Sequence, residues 1–180
     1  MLYITVPATR VFKSDTNEFI PVKETELTLE HSLVSISKWE SKYCKPFFKK
    51  DGKTSAELLY YIKCMTLNPK IGDEVYYALT KENIEEITAY INSPMTATTF
   101  SDRSTGTPSR EIITSELIYY HMVALGIPFE CQKWHINRLL TLIKVCNIKN
   151  TPPKKMSKSE IMSRNAALNA ARRSALNSKG

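Results

Sequence analysis

The chain has 180 residues, 42% hydrophobic and 24% charged, with a formal net charge of +7; that suffices for one domain with a sizeable core and excludes a disordered chain. No stretch approaches the roughly 18 consecutive apolar residues of a membrane span, and the N-terminus has no basic flank, so a soluble, unsecreted protein is expected. The charge is local: residues 154–180 hold seven cations, Lys154, Lys155, Lys158, Arg164, Arg172, Arg173 and Lys179, against Glu160 alone. Residues 1–153 are therefore close to neutral, with no second basic patch evident. Cys44, Cys64, Cys131 and Cys146 lie far apart in a chain able to build its own core, which reads as four reduced thiols.

Residues 2 to 30 have strand character. Leu2, Ile4 and Val6 alternate, Val11-Phe12 and Phe19-Ile20 flank a turn at 14–17, and Leu27 and Leu29 alternate with polar residues, the pattern of a small antiparallel meander. From Ser32 the period becomes helical, with Leu33, Ile36 and Trp39/Glu40 on successive turns until Pro46 and the break at 49–52. Thr54 followed by Glu57 is a capping box opening a helix through about Met65, and Thr80 opens another carrying Ile84, Ile87 and Ile91. Residues 94–110 are rich in Ser and Thr and read as a mobile loop. Two further helices are predicted at about 110–125 and 130–147, parted by Gly126-Ile127-Pro128.

The predicted fold is mainly α (α+β): a β meander over 1–30 packed on a helical core at 31–151, followed by a basic tail at 152–180, helical or disordered. The predicted core is Leu33, Ile36, Leu58, Ile62, Ile84, Ile87, Leu117, Ile136, Leu139, Leu140 and Ile143.

Chemistry-bearing constellations are sparse. Cys131 and His135, four apart on a predicted helix, would share a face as half a metal site, but His121, Cys64 and Cys146 stand at no diagnostic spacing to complete it. Dinucleotide, P-loop and HExxH motifs are absent and no nucleophile elbow accompanies the cysteines, so a non-enzyme without cofactor or metal is expected. Glu111, Glu116 and Glu130 fall in first helical turns as dipole partners. Helix, Gly-containing turn, helix outlines a helix-turn-helix with Lys133, Arg138 and Lys144 on its second member, but that helix is too apolar to read bases and fits a plain αα-hairpin. Tyr119, Tyr120 and Trp134 gather around the 126–128 turn as candidate anchors for a partner helix. The tail cations Lys154, Lys155, Lys158, Arg164, Arg172, Arg173 and Lys179 suit an acidic protein surface or nucleic acid.

The segments LEHSLVSISKWESKYCKPF (29–47), PMTATTF (94–100), ECQKWHINRLLTLIKVCNIKN (130–150) and PPKKMSKSEIMSRNAALNAARRSALNSKG (152–180) resemble, in that order, a group of small proteins of long-tailed bacteriophages, the tail assembly chaperones. The resemblance implies a non-enzymatic protein of the host cytoplasm, with no membrane partner. It would coat the helical tape measure protein, keep it soluble and hand it to polymerising tail tube protein, with a homo-oligomer possible. The alternative is a virion structural, head-completion or DNA-packaging protein using the basic arm on nucleic acid. A near-neutral body without a second basic patch favours the protein partner.

Overall fold

The computed structural model describes residues 1–13, 17–49, 52–100, 112–151 and 157–177. The fold is α+β and mainly helical, with a small antiparallel β portion at the N-terminus. Strands β1 (Leu2–Val6) and β4 (Thr25–Leu29) pair with each other, and β2 (Thr9–Lys13) pairs with β3 (Glu18–Val22). The two ladders share one register: Val6 faces Thr25, and after a gap Thr9 faces Val22. They are thus two halves of one long hairpin, interrupted at Pro7-Ala8, where proline supplies no amide to the ladder. Alternation places Ile4, Val6, Leu27 and Leu29 in the core and Tyr3 in solvent. The free edge of β4 is covered by the chain after the second helix, with Leu67 N–H donating to Thr28 O at 2.8 Å and Glu30 N–H to Met65 O at 2.9 Å. Of the predicted turn at 14–17, only Asn17 lies within the described residues.

The helices start where their caps place them. Ser32 caps α1 (Leu33–Tyr43), and the Thr54/Glu57 box opens α2 (Ser55–Met65). A second box, Thr80 with Asn83, opens α4 (Lys81–Asn92). Between α2 and α4 lies a short helix with no counterpart in the sequence reading, α3 (Asp73–Tyr77). Helix α5 (Ser115–Ala124) is shorter than predicted; positions 110 and 111 lie outside the described residues. Its start is set by Thr114 and by the buried carboxylate of Glu40, which accepts the Ser115 N–H and the Phe47 N–H, both at 2.7 Å. Gly126, at φ +64°, lets Ile127 N–H turn back to Met122 O at 2.8 Å and ends the helix.

The helix predicted over 130–147 is two elements. Phe129–Lys133 is a 3-10 turn, Trp134 is extended, and α6 (Ile136–Asn150) begins only after His135. The break arises because His135 forms a bridge with Ser32, and Ile136 N–H donates to His31 O at 2.7 Å. His135 then caps α6, its Nδ1 accepting the Asn137 N–H at 3.3 Å. Cys131 and His135 therefore do not share a helical face.

The chain divides into two compact units, Met1–Asn147 and Ile148–Gly180. In the first, Leu33, Ile36, Ile62, Ile87, Ile136, Leu139 and Ile143 are buried as predicted, together with Val6, Trp39, Tyr61, Met65, Ile118 and Met122. Leu117 and Leu140 are only partly buried. Leu58 and Ile84 are not core at all: they are 48% and 38% exposed. The second unit contains α7 (Lys158–Leu176), opened by a Ser157/Glu160 capping box and closed by Asn177 in the left-handed conformation. Every residue of α7 is exposed. Of the predicted mobile loop, residues 101–110 lie outside the described residues, while Phe100 sits 4.0 Å beneath the Lys144 ammonium.

Replacing Leu139, which is fully buried, by Ala is expected to destabilise the protein by about 2 to 5 kcal/mol, whereas Leu58→Ala should stay under about 1 kcal/mol. Urea unfolding of the two variants checks this; equal losses would contradict the burial assignment.

Candidate partner-binding site

The exposure of Leu58 and Ile84 has a common cause. On α4, Ile84, Ile87, Thr88 and Ile91 follow the i, i+3, i+4, i+7 spacing of a single stripe, and α2 presents Ser55, Leu58, Leu59 and Ile62 toward it. Tyr76 and Tyr77 of α3, with Leu79, complete the lining of the groove, whose free volume is about 380 Å³. Only the inner edge of each stripe is buried, as Ile62 and Ile87 show at 5% and 2% exposure. The outer edges remain open to water.

Two ion pairs belong to the elements that form the groove: Lys63 with Asp73 at 2.5 Å, and Lys81 with Glu85 at 3.5 Å. Tyr77, 68% exposed, continues the apolar surface onto the hairpin. It also lines a second depression of about 340 Å³ with Val11, Phe12 and Ile20. There Phe12 and Phe19, paired across the strands, hold their rings 5.2 Å apart and are 49% and 66% exposed. The apolar part of such a surface is suited to taking apolar side chains from another chain.

The groove rests on a buried polar cluster. Tyr61, which lines the groove wall, hydrogen-bonds His31 Nδ1 through its hydroxyl. The His31 ring meets that of His135 edge to face, centroids 5.0 Å apart. His135 Nε2 lies 3.1 Å from Tyr90 O, and Tyr90 Oη donates to Glu30 Oε1 at 2.6 Å. The other oxygen of Glu30 meets the Met1 α-amino group at 3.1 Å. Because an amide can only donate, Asn137 N–H makes His135 Nδ1 an acceptor, so Nε2 carries the proton and donates to the Tyr90 carbonyl. His135 is thereby held as a neutral tautomer.

Burial, and secondarily the neighbouring His135, pulls the His31 pKa down to about 3. Burial lowers that of His135 as well, against the opposing hydrogen bond to Tyr90 O. It also drives the Tyr61 hydroxyl well above the usual phenol range, and with the bond to Glu30 it raises Tyr90. Among the described residues, no group of three or more His, Cys, Asp and Glu is placed to hold a metal ion.

The residues singled out as partner anchors are not one surface. Tyr119 is half-buried and donates from its hydroxyl to Gln132 Oε1 at 2.9 Å. Trp134 is half-buried beneath the Arg138 guanidinium, 4.1 Å from the ring centroid. Tyr120 points outward at 64% exposure. Lys158, Arg164, Arg172 and Arg173 lie on α7; Lys154, Lys155 and Lys179 fall outside the described residues. At 100° per residue, Arg172 projects between the positions of Ile161 and Leu168 and that of Leu176, so α7 does not separate an apolar face from a basic one. Sequence reasoning missed the groove because it assigned Leu58 and Ile84 to the core and saw no helix at 73–77.

Two histidines kept neutral inside the fold make stability depend on pH. Their folded pKa values lie below the unfolded value of 6.5, so on acidification the unfolded chain takes up protons first. Stability conferred by keeping His31 neutral is therefore lost as pH falls from about 6.5 toward 3, at up to about 1.4 kcal/mol per pH unit. Urea midpoints should therefore fall steadily between pH 7 and 5; a flat profile would mean the imidazoles are not shielded. No family model matches the chain, and neither a curated protein nor a solved structure matches it.

Proposed function

We propose that the chain is a non-enzymatic assembly factor of the tail assembly chaperone kind. It holds an amphipathic helix of a tape measure protein in the groove between α2 and α4 until tail tube protein encloses it, in the cytoplasm of the infected host. The observation that supports this reading is the groove itself: two apolar stripes, one on α2 and one on α4, each buried along one edge and open along the other. A third helix laid between them would bury Leu58, Ile84 and Tyr77 by helix-in-groove packing. The lining is Ser, Leu, Tyr, Ile and Thr, which matches a partner recognised through side-chain packing.

The sequence resemblance supplies the identity of that partner; the groove supplies only its shape and polarity. No helix among the described residues is long and apolar enough to cross a membrane.

The test is co-expression of the full chain with a helical tape measure fragment. Wild type should keep the fragment soluble and co-purify with it. The double variant Leu58→Asp/Ile84→Asp should keep its circular dichroism spectrum, since both sites are open to solvent, yet bind at least roughly tenfold more weakly. A variant that solubilises the fragment as well as wild type does would overturn the assignment of the groove.

A further inference from the structure

On the reading that the groove takes a helical partner, we infer that Asn137 and His135 position its α4 wall, and that a proton taken up by His135 releases that wall, so that the groove loosens its hold in mild acid. The last carbonyls of a helix have no partner within it. At the C-terminus of α4 the start of α6 supplies the donors. Asn137 Nδ2 donates to Ser93 O at 2.8 Å and to Ile91 O at 3.3 Å, and His135 Nε2 donates to Tyr90 O at 3.1 Å. Ile91 also lines the groove, with Ile84, Ile87 and Thr88. The other end of α4 is fixed separately, by Asn83 Nδ2 on Thr5 O at 3.2 Å.

This clamp holds only while His135 is neutral. Its Nδ1 accepts the Asn137 N–H at 3.3 Å, which caps α6 and carries the Asn137 side chain to α4. A second proton on the ring turns Nδ1 into a donor facing that amide, two donors with no acceptor between them. The first turn of α6 then has to shift, and Asn137 leaves the carbonyls of Ile91 and Ser93.

Facing His135 are His31 and Glu30 from the β4–α1 junction, Tyr90 from α4, and the Met1 α-amino group, which meets the Glu30 carboxylate at 3.1 Å. Tyr61 of α2 reaches the pair through His31. On the helix that His135 caps, Arg138 is turned onto the Trp134 ring. Burial is the largest influence and pulls the His135 pKa below 6.5; Glu30 favours the imidazolium and the α-amino group opposes it. His31 stays neutral down to about pH 3, so His135 is the member whose charge changes in mild acid. Release of the clamp frees the ring from its buried hydrogen-bonded seat, so protons favour the released wall and a bound helix resists their uptake to the same extent.

The experiment follows the full-length protein, carrying isotope-labelled isoleucine δ1-methyls, by NMR from about pH 7.5 to 5.5, with circular dichroism in parallel. The methyls of Ile84, Ile87 and Ile91 should shift with one midpoint, shared with the His135 ring and below 6.5. A helical tape measure fragment should bind at least about threefold more weakly at the lower pH, within the limit of about tenfold per pH unit for one proton. His135→Asn, which offers α6 a cap that cannot titrate, should hold the ratio of affinities at the two pH values under about twofold. Asn137→Ala should weaken fragment binding at about pH 7.5 and uncouple the methyls from a ring that still titrates, and it decides the matter if His135→Asn does not fold. Groove methyls that ignore the ring, an affinity ratio in His135→Asn equal to that of wild type, or loss of the circular dichroism spectrum in the same step as the methyl shifts would each overturn the inference. A fragment that fails to bind at about pH 7.5, while methyls and ring titrate together, would remove the proposed occupant and leave the clamp standing.

Discussion

The junction between β4 and α1 is the constraint on which the rest of the structured body depends. Glu30, His31 and Ser32 contribute main chain and side chain alike. The Glu30 amide ties to the end of α2, its carbonyl accepts Ser35 Oγ, and its carboxylate meets Tyr90 of α4. His31 receives the first amide of α6 on its carbonyl and bonds Tyr61 of α2 through its ring. Ser32 caps α1 and bridges to His135. All three side chains are buried, and among the described residues no buried side-chain polar atom lacks a partner. A polar network that is fully satisfied in a low-dielectric interior specifies one arrangement of the elements around it, because any slip leaves a desolvated group unpaired.

That dependence explains what could be read from the amino-acid order and what could not. Signals confined to a few neighbouring residues were legible. Thr54 and Thr80 place two helix starts by local cap chemistry, the change of period at Ser32 marks a third, and the alternation around Ile4, Val6, Leu27 and Leu29 marks the strands. Signals set by distant partners were not. The apolar period through Ile136, Leu139 and Ile143 extends smoothly back past Cys131, yet the helix cannot, since the chain at His135 is held extended against Ser32. The Asp73–Tyr77 turn of helix has no side-chain cap to announce it.

Leu58 and Ile84 illustrate a different ambiguity. Helical spacing identifies which residues share a stripe, but not how wide a strip the fold covers. Here α2 and α4 bury only the inner half of theirs, because no further element among the described residues of the compact unit fills the space between them.

The shared register of the two ladders carries a kinetic consequence. Pairing β2 with β3 closes a short turn between strands adjacent in the chain, an event of about 1 to 10 μs for a hairpin. Once Thr9 faces Val22, the ends of β1 and β4 are already side by side, and Val6 can meet Thr25 across the Pro7-Ala8 gap with little further loop entropy. The order of zippering thus runs from the exposed tip toward the buried end. Leu27 and Leu29 reach the nascent helical core as one strand of a preformed ribbon, and the nonlocal contacts of the N-terminal segment accrue in short steps, a topology that favours fast folding.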